Sequence, residues 1–174
     1  FEVLVIDDGS TDNSQKILDK LSEEYEELRW KEISTKKLNI TRKEANKEAK
    51  GDYILPQLDS DDKYEEVILD FVNIYHQLEN KLEGEYPEGF YLRGRDLAIG
   101  PKNLIIEHNY RDLDYGGDKD FWRRLSANNK LQGLKHREVK ESLGYDRKGI
   151  EKLRNAYKQM KTEFRSGITF RSYV

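Results

Sequence analysis

A chain of 174 residues is long enough to bury one hydrophobic core and too short for two independent ones. Its 31 Lys and Arg against 34 Asp and Glu, a formal net charge of -3, leave no basic excess to track a phosphate backbone, which argues against nucleic acid as a partner. The absence of cysteine excludes a disulfide framework, thiolate zinc sites and cysteine nucleophiles, and no apolar run approaches the ~18 residues of a spanning helix or the pattern of a signal segment.

The first predicted element is Phe1-Glu2-Val3-Leu4-Val5-Ile6, a β-branched run that reads as a buried parallel strand. A native amino terminus rarely begins so abruptly. The polar stretch Asp7 to Asp12 follows, then Ile17, Leu18, Leu21, Tyr25 and Leu28 at helical spacing, with Asp12 and Gln15 placed as a capping box. Trp30 to Ile33 predicts a second strand. Thr41 to Glu44 repeats the capping-box spacing before a helix with Ala45 and Ala49 on one face and Gly51 as its C′ residue. Tyr53 to Leu58 predicts a strand in which Pro56 cannot donate to a ladder and marks a bulge or an edge. Val67, Ile68, Phe71, Val72, Tyr75, Leu78 and Leu82 keep the 3.6 period and predict a long helix ending near Gly84 and Pro87. Beyond residue 83 the pattern predicts strand and turn over Gly89 to Gly100, a helix over Asp118 to Asn128, a strand over Leu131 to Val139 and a terminal helix over Lys148 to Phe164. The expected fold class is α/β, a mainly parallel sheet with flanking helices in a single domain over residues 1–174.

Two acidic clusters, Asp7 to Asp12 and Asp59 to Asp62, stand at the carboxyl ends of two predicted strands, where open α/β sheets place their ligands. A hard cation such as Mg²⁺ or Mn²⁺ takes one or two carboxylates and completes its shell with phosphate oxygens, a chemistry that Asp59, Asp61 and Asp62 supply. The amides around Gly9 and Ser10, at the start of a helix, are placed to orient a nucleoside, with Gly9 permitting a tight turn. Taken alone, the first cluster also reads as a turn and helix cap. The second fails as a calcium loop, because Lys63, Tyr64 and Asp70 occupy the fifth, sixth and twelfth positions.

Val5-Ile6-Asp7-Asp8-Gly9-Ser10-Thr11-Asp12 resembles the signature of family 2 glycosyltransferases with the GT-A fold. Arg42 to Gly51, running into Asp52-Tyr53-Ile54-Leu55, is similar to the family's Arg-containing helix and the strand after it. Leu58-Asp59-Ser60-Asp61-Asp62 resembles its Asp-X-Asp metal motif, and Gly117-Asp118-Lys119-Asp120-Phe121-Trp122-Arg123-Arg124-Leu125 its Glu-Asp segment. The resemblance covers residues 1 to about 125. It implies a nucleotide-sugar-binding half over 1–83, an acceptor-binding half over 84–174, and an inverting, metal-dependent transfer of a sugar from a UDP- or GDP-sugar to a glycan, lipid-linked or protein acceptor. In it Asp8 contacts the donor base, Asp7 supports that loop, and Arg42 sits by the base or phosphates. Asp59 faces the donor ribose or the metal, Asp61 binds the Mn²⁺ or Mg²⁺, Asp62 substitutes if the register shifts, and Asp118 is the catalytic base, with Asp114 and Asp120 as alternatives.

The sequence departs from the family at several points. The family's opening strand and helix have no counterpart, Gly117 stands where a Glu is expected, Lys43 and Ala45 replace the usual Asn and Gly, and one residue is inserted around Pro56 and Gln57. No Gln-X-X-Arg-Trp segment is present, so the resemblance implies single transfer rather than processive synthesis. A non-catalytic sugar-nucleotide-binding module and a sugar nucleotidyltransferase are the competing readings; the latter usually carries a Gly-rich basic loop, absent here. The face of Phe121, Trp122 and Leu125 reads as core. His136 lies in a region faintly similar to the family's late His segment, while His76 and His108 carry no supporting context. Arg93 and Arg95 fall in the acceptor half, where a guanidinium holds phosphate or carboxylate or is simply solvated. The terminal helix mixes Lys148, Lys152, Arg154, Lys158 and Lys161 with Ile150, Leu153, Tyr157 and Met160, a stripe for its own domain or for peripheral contact with an anionic membrane. The expected location is the cytoplasm or the cytoplasmic membrane face.

Overall fold

A computed structural model of the protein describes residues 1–56, 58–60, 62–64, 66–135, 139–142, 157–158 and 160–161. Strand β1 (Val3–Asp7) leads through helix α1 (Ser14–Glu24) to β2 (Leu28–Glu32), which lies parallel to β1 with Val3 opposite Leu28 and Asp7 opposite Glu32. Helix α2 (Leu38–Glu48) and the short strand β3 (Tyr53–Ile54) follow, then β4 (Asp62–Tyr64) and helix α3 (Ile68–Leu82). The second half holds β5 (Tyr91–Arg93), β6 (Ala98–Pro101), α4 (Lys102–Glu107), α5 (Gly117–Ala127), β7 (Leu131–Gly133) and β8 (Val139–Ser142).

The α/β class with flanking helices is as expected, but the sheets are mixed. β1–β2 and β5–β7 pair in parallel; β3–β6, β5–β6 and β4–β8 pair antiparallel. The predicted strand over Tyr53 to Leu58 shrinks to two residues, because β6 ends its pairing with β3 at Ile54 and Pro56 has no N–H to extend a ladder. Leu131 to Val139 divides into β7 and β8, which join different sheets.

The core is built by the second half together with helix α3. Tyr91, Leu104, Ile105, Tyr110, Phe121 and Leu125 form one buried cluster, and Phe71, Tyr75, Phe90, Leu92, Leu97 and Ile99 form another across the β3-β6-β5-β7 sheet. Phe121 and Leu125 thus meet the core expected of them, and Trp122 packs partly buried against the first cluster. The expectation of a buried β1 is not met: Val3 is 42% exposed and only Asp7 of the strand is buried. Helix α1 buries none of its residues and leaves Ile17 56% exposed, since a two-stranded sheet offers too little surface to cover its apolar face.

Both predicted capping boxes are replaced by other uses of the same side chains. The cap of α1 is Asn13, without a side-chain bond, because Gln15 is drawn to Asp7 and Asp12 takes the Ser14 amide at 2.9 Å. Helix α2 starts three residues before Thr41, whose hydroxyl accepts none of the first-turn amides and instead donates to Asp8 at 3.0 Å; α2 ends with Ala49, not Gly51, at its carboxyl cap. No helix among the described residues is long and apolar enough to cross a membrane. Tyr157, Lys158, Met160 and Lys161 are helical, whereas Lys148, Ile150, Lys152, Leu153 and Arg154 lie outside the described residues.

Candidate functional site

The turn after β1 is held by its own carboxylates. Asp7 is buried and accepts from the Ser10 amide at 3.1 Å, the Ser10 hydroxyl, and Gln15 Nε2 at 2.9 Å. The bonds from Gln15 and Ser10 hold its carboxyl below the usual range. Gly9 makes the turn possible at φ 81°, a conformation that L side chains rarely adopt.

Asp8 points toward the segment between β2 and α2. It accepts from the amides of Thr35 at 2.6 Å, Lys36 at 3.0 Å and Lys37 at 3.1 Å, and from the Thr41 hydroxyl at 3.0 Å. Burial works to raise its pKa, but these donors outweigh it and the carboxyl is held below its usual range. A carboxylate offers about four lone-pair directions, which these contacts occupy. Asp8→Ala should therefore cost about 2 kcal/mol, because three amides lose a charged acceptor. The gap between parent and variant in chemical melts should close in acid. A carboxyl depressed below its ordinary value of 3.8 contributes fully above that value and loses its contribution as pH falls through the depressed one.

Three side chains far apart in sequence meet beside α5. Arg42, on α2, donates from Nη1 to Asp118 Oδ1 at 2.7 Å and from Nη2 to Asp59 Oδ1 at 3.4 Å. Its side chain is only 16% exposed, Asp118 is 36% exposed and Asp59 is 55% exposed. Burial disfavours the Arg42 charge, and Asp118, Tyr110 and Asp59 overcome this to keep the guanidinium raised. Tyr110 lies beneath it, its ring centroid 5.9 Å from the Arg42 Cζ. Asp62 is half-buried at the start of β4, one strand removed; Asp61 lies outside the described residues, as does His136.

The alternatives for the base are placed elsewhere. Asp120 is buried between Arg124 at 2.9 Å and Arg111 at 3.5 Å, while Arg124 also donates to the carbonyls of His108 and Asn109, tying α5 to the loop after α4. Asp114 is exposed. Arg95 is exposed beside Asp96, and His76 shares Glu79 with the hydroxyls of Tyr53 and Tyr75. His108 directs Nδ1 to the Leu104 carbonyl.

Tyr91 and Tyr110 were not singled out by any motif. Both are almost fully buried around Phe121, with ring centroids 5.3 and 5.1 Å from it, and burial pushes both phenols well above their usual range. Among the described residues, the buried Tyr91 and Tyr110 hydroxyls, Trp122 Nε1 and Arg93 Nε have no hydrogen-bond partner. Local sequence holds no signal for such a group, since its members come from β5, the loop before α5, and α5.

Residues 1–80 match the family model described as glycosyl transferase family 2. No curated protein matches the chain. Among solved structures, the crystal structure of S. aureus TarS residues 1–349 is similar to this chain with a TM-score of 0.64 at 16% identity, over 96% of the chain. The chain spans 63% of the length of that structure. Residues 1–80 are thus similar in sequence to the family 2 glycosyltransferases, and nearly the whole chain shares the GT-A-type fold of that structure.

Proposed function

We propose that this chain transfers a glycosyl group from a nucleoside-diphosphate sugar to an acceptor hydroxyl in one in-line displacement that inverts the anomeric carbon. The observation that carries this reading is the junction at Arg42, which joins Asp118 on α5 to Asp59 beside the acidic cluster. Asp118 accepts the proton of the attacking hydroxyl, and the 2.7 Å bond to Arg42 fixes the orientation of its carboxylate. Arg42 presents a permanent positive charge between the base and the donor's diphosphate. Asp7 and Asp8 act at one remove: they hold the two loops that shape the nucleoside pocket, Asp8 with both oxygens committed to Thr35, Lys36, Lys37 and Thr41.

Asp59 and Asp61, with Asp62 beside them, are the residues that would hold a Mn²⁺ or Mg²⁺ ion. The set is all carboxylate oxygen, and Asp59 is more than half exposed, as suits a hard cation shared with donor phosphates. Among the described residues no three His, Cys, Asp or Glu side chains converge, and an ion of this kind requires only one or two carboxylates from the protein. When bound, the ion neutralises charge on the departing diphosphate.

Calorimetric titration of UDP and GDP in the presence and absence of Mn²⁺ tests the donor site. Metal-dependent binding of one of them, weakened at least ~10-fold by Asp61→Ala, is the expected result. Equal affinity in parent and variant would remove the metal assignment. Failure to release nucleoside diphosphate from any UDP- or GDP-sugar would leave a binding module in place of an enzyme.

A further inference from the structure

Arg29, Arg42 and Arg124 are half-buried, and each rests on a carboxylate: Glu2, Asp118 and Asp120 respectively. Arg93 at the end of β5 is half-buried too, yet it has no ion pair among the described residues, and its Nε is buried without a hydrogen-bond partner. Its guanidinium lies instead over the Trp122 ring, with Cζ 3.6 Å from the centroid. A guanidinium cannot shed its charge, so partial desolvation without a counter-ion is unfavourable. The ring face recovers only part of that loss, and stacking holds the fork in one orientation.

The position of this charge is informative. Trp122 follows Asp118 by one turn of α5, on the same face and about 6 Å further along the axis. The Tyr91 phenol, two residues before Arg93 on β5, lies under the combined charges of Asp118, Arg93 and Arg42. Asp118 therefore has the Arg42 and Asp59 junction against its carboxylate, and the residue one helical turn further on, Trp122, carries a second arginine that has no ion pair among the described residues.

We infer that Arg93, stacked on Trp122, is the specificity-determining anion site of the acceptor pocket. It takes an acceptor that carries a phosphate or carboxylate on the side of the attacking hydroxyl that faces Trp122. The placement of that hydroxyl rests on the assignment of Asp118 as base; the anion site itself does not. Arg42 and Arg93 divide the charges of the reaction between them, Arg42 serving the donor's diphosphate and Arg93 the acceptor's anion.

Tryptophan emission reads this site directly, because Trp30 and Trp122 are the chain's two tryptophans and a Trp30→Phe background leaves Trp122 alone. Glycerol 3-phosphate, glycerate and glycerol are the probes. Expected is a saturable change with a charged probe, at least ten-fold weaker with glycerol; the stronger of phosphate and carboxylate names the group. Arg93→Gln should bring the charged probes to the level of glycerol, and Arg93→Lys, which keeps charge but loses the planar fork, should fall between. An equal response to glycerol and to the charged probes, or an unchanged response in Arg93→Gln protein with a cooperative melt, overturns the inference. If Arg93→Gln fails to fold, the comparison of charged with neutral probes in the Trp30→Phe protein decides alone. Charge-selective binding without donor turnover would sink the enzyme reading and leave Arg93 standing; donor turnover with no charge selectivity would do the reverse.

Discussion

Asp118→Asn protein should fold and bind donor nucleotide nearly as the parent does, and lose transfer by ~10²-fold or more. The amide keeps the carbonyl oxygen that accepts from Arg42 Nη1 at 2.7 Å, so the shape of the junction with Asp59 survives while the proposed proton acceptor is gone. Because Asp118 is 36% exposed, loss of its charge should cost no more than about 1 kcal/mol, seen in a denaturant melt. Asp120→Asn is the matched control. Asp120 is 10% exposed and holds Arg124 at 2.9 Å and Arg111 at 3.5 Å, so this variant should lose stability, about 3 kcal/mol, and keep its turnover per folded molecule. Steady-state kinetics beside the melts separate the two. Near-normal transfer by the Asp118 variant, with loss in the Asp120 variant, would move the base by two residues.

Gly117→Ala should destabilise the protein by about 3 kcal/mol and reduce transfer with it. A Cβ at this position would lie 2.0 Å from Asn39 Oδ1 and 2.5 Å from Asn39 Cγ. Asn39 has no room to yield: it is 6% exposed, and its Nδ2 donates to the Leu113 carbonyl at 2.5 Å, joining α2 to the loop ahead of α5. Displacing it leaves a buried amide or carbonyl unpaired and disturbs the helix start that carries Asp118. A double-mutant cycle with Asn39→Ala provides the check, since the clash exists only when both side chains are present. The combined loss should be smaller than the sum of the single losses; strict additivity would reject the contact. Gly117, which departs from the Glu expected by resemblance, is thus the partner that Asn39 requires.

What residues 1 to 125 determine by themselves is local. The 3.6 period from Val67 to Leu82 produces α3, because one face of that segment buries Phe71 and Tyr75 whatever lies around it. The apolar run before Asp7 produces β1, and the acidic signatures mark the loops that follow strands. The resemblance to family 2 glycosyltransferases was legible for the same reason, since its motifs are contiguous stretches. Tertiary structure decided the rest, because the deciding forces act between segments with no common sequence. Asp8 reads alike as a ligand contact or as a cap, and only the approach of Thr35, Lys36, Lys37 and Thr41 commits both its oxygens. Thr41 reads as a helix start until Asp8 claims its hydroxyl inside α2. Nothing local pairs Arg42 with Asp118, 76 positions away, or sets Arg93 on Trp122. Those contacts follow from packing α2 and α5 around Tyr110, Tyr91 and Phe121, where desolvation makes each charge depend on the partner the fold brings to it.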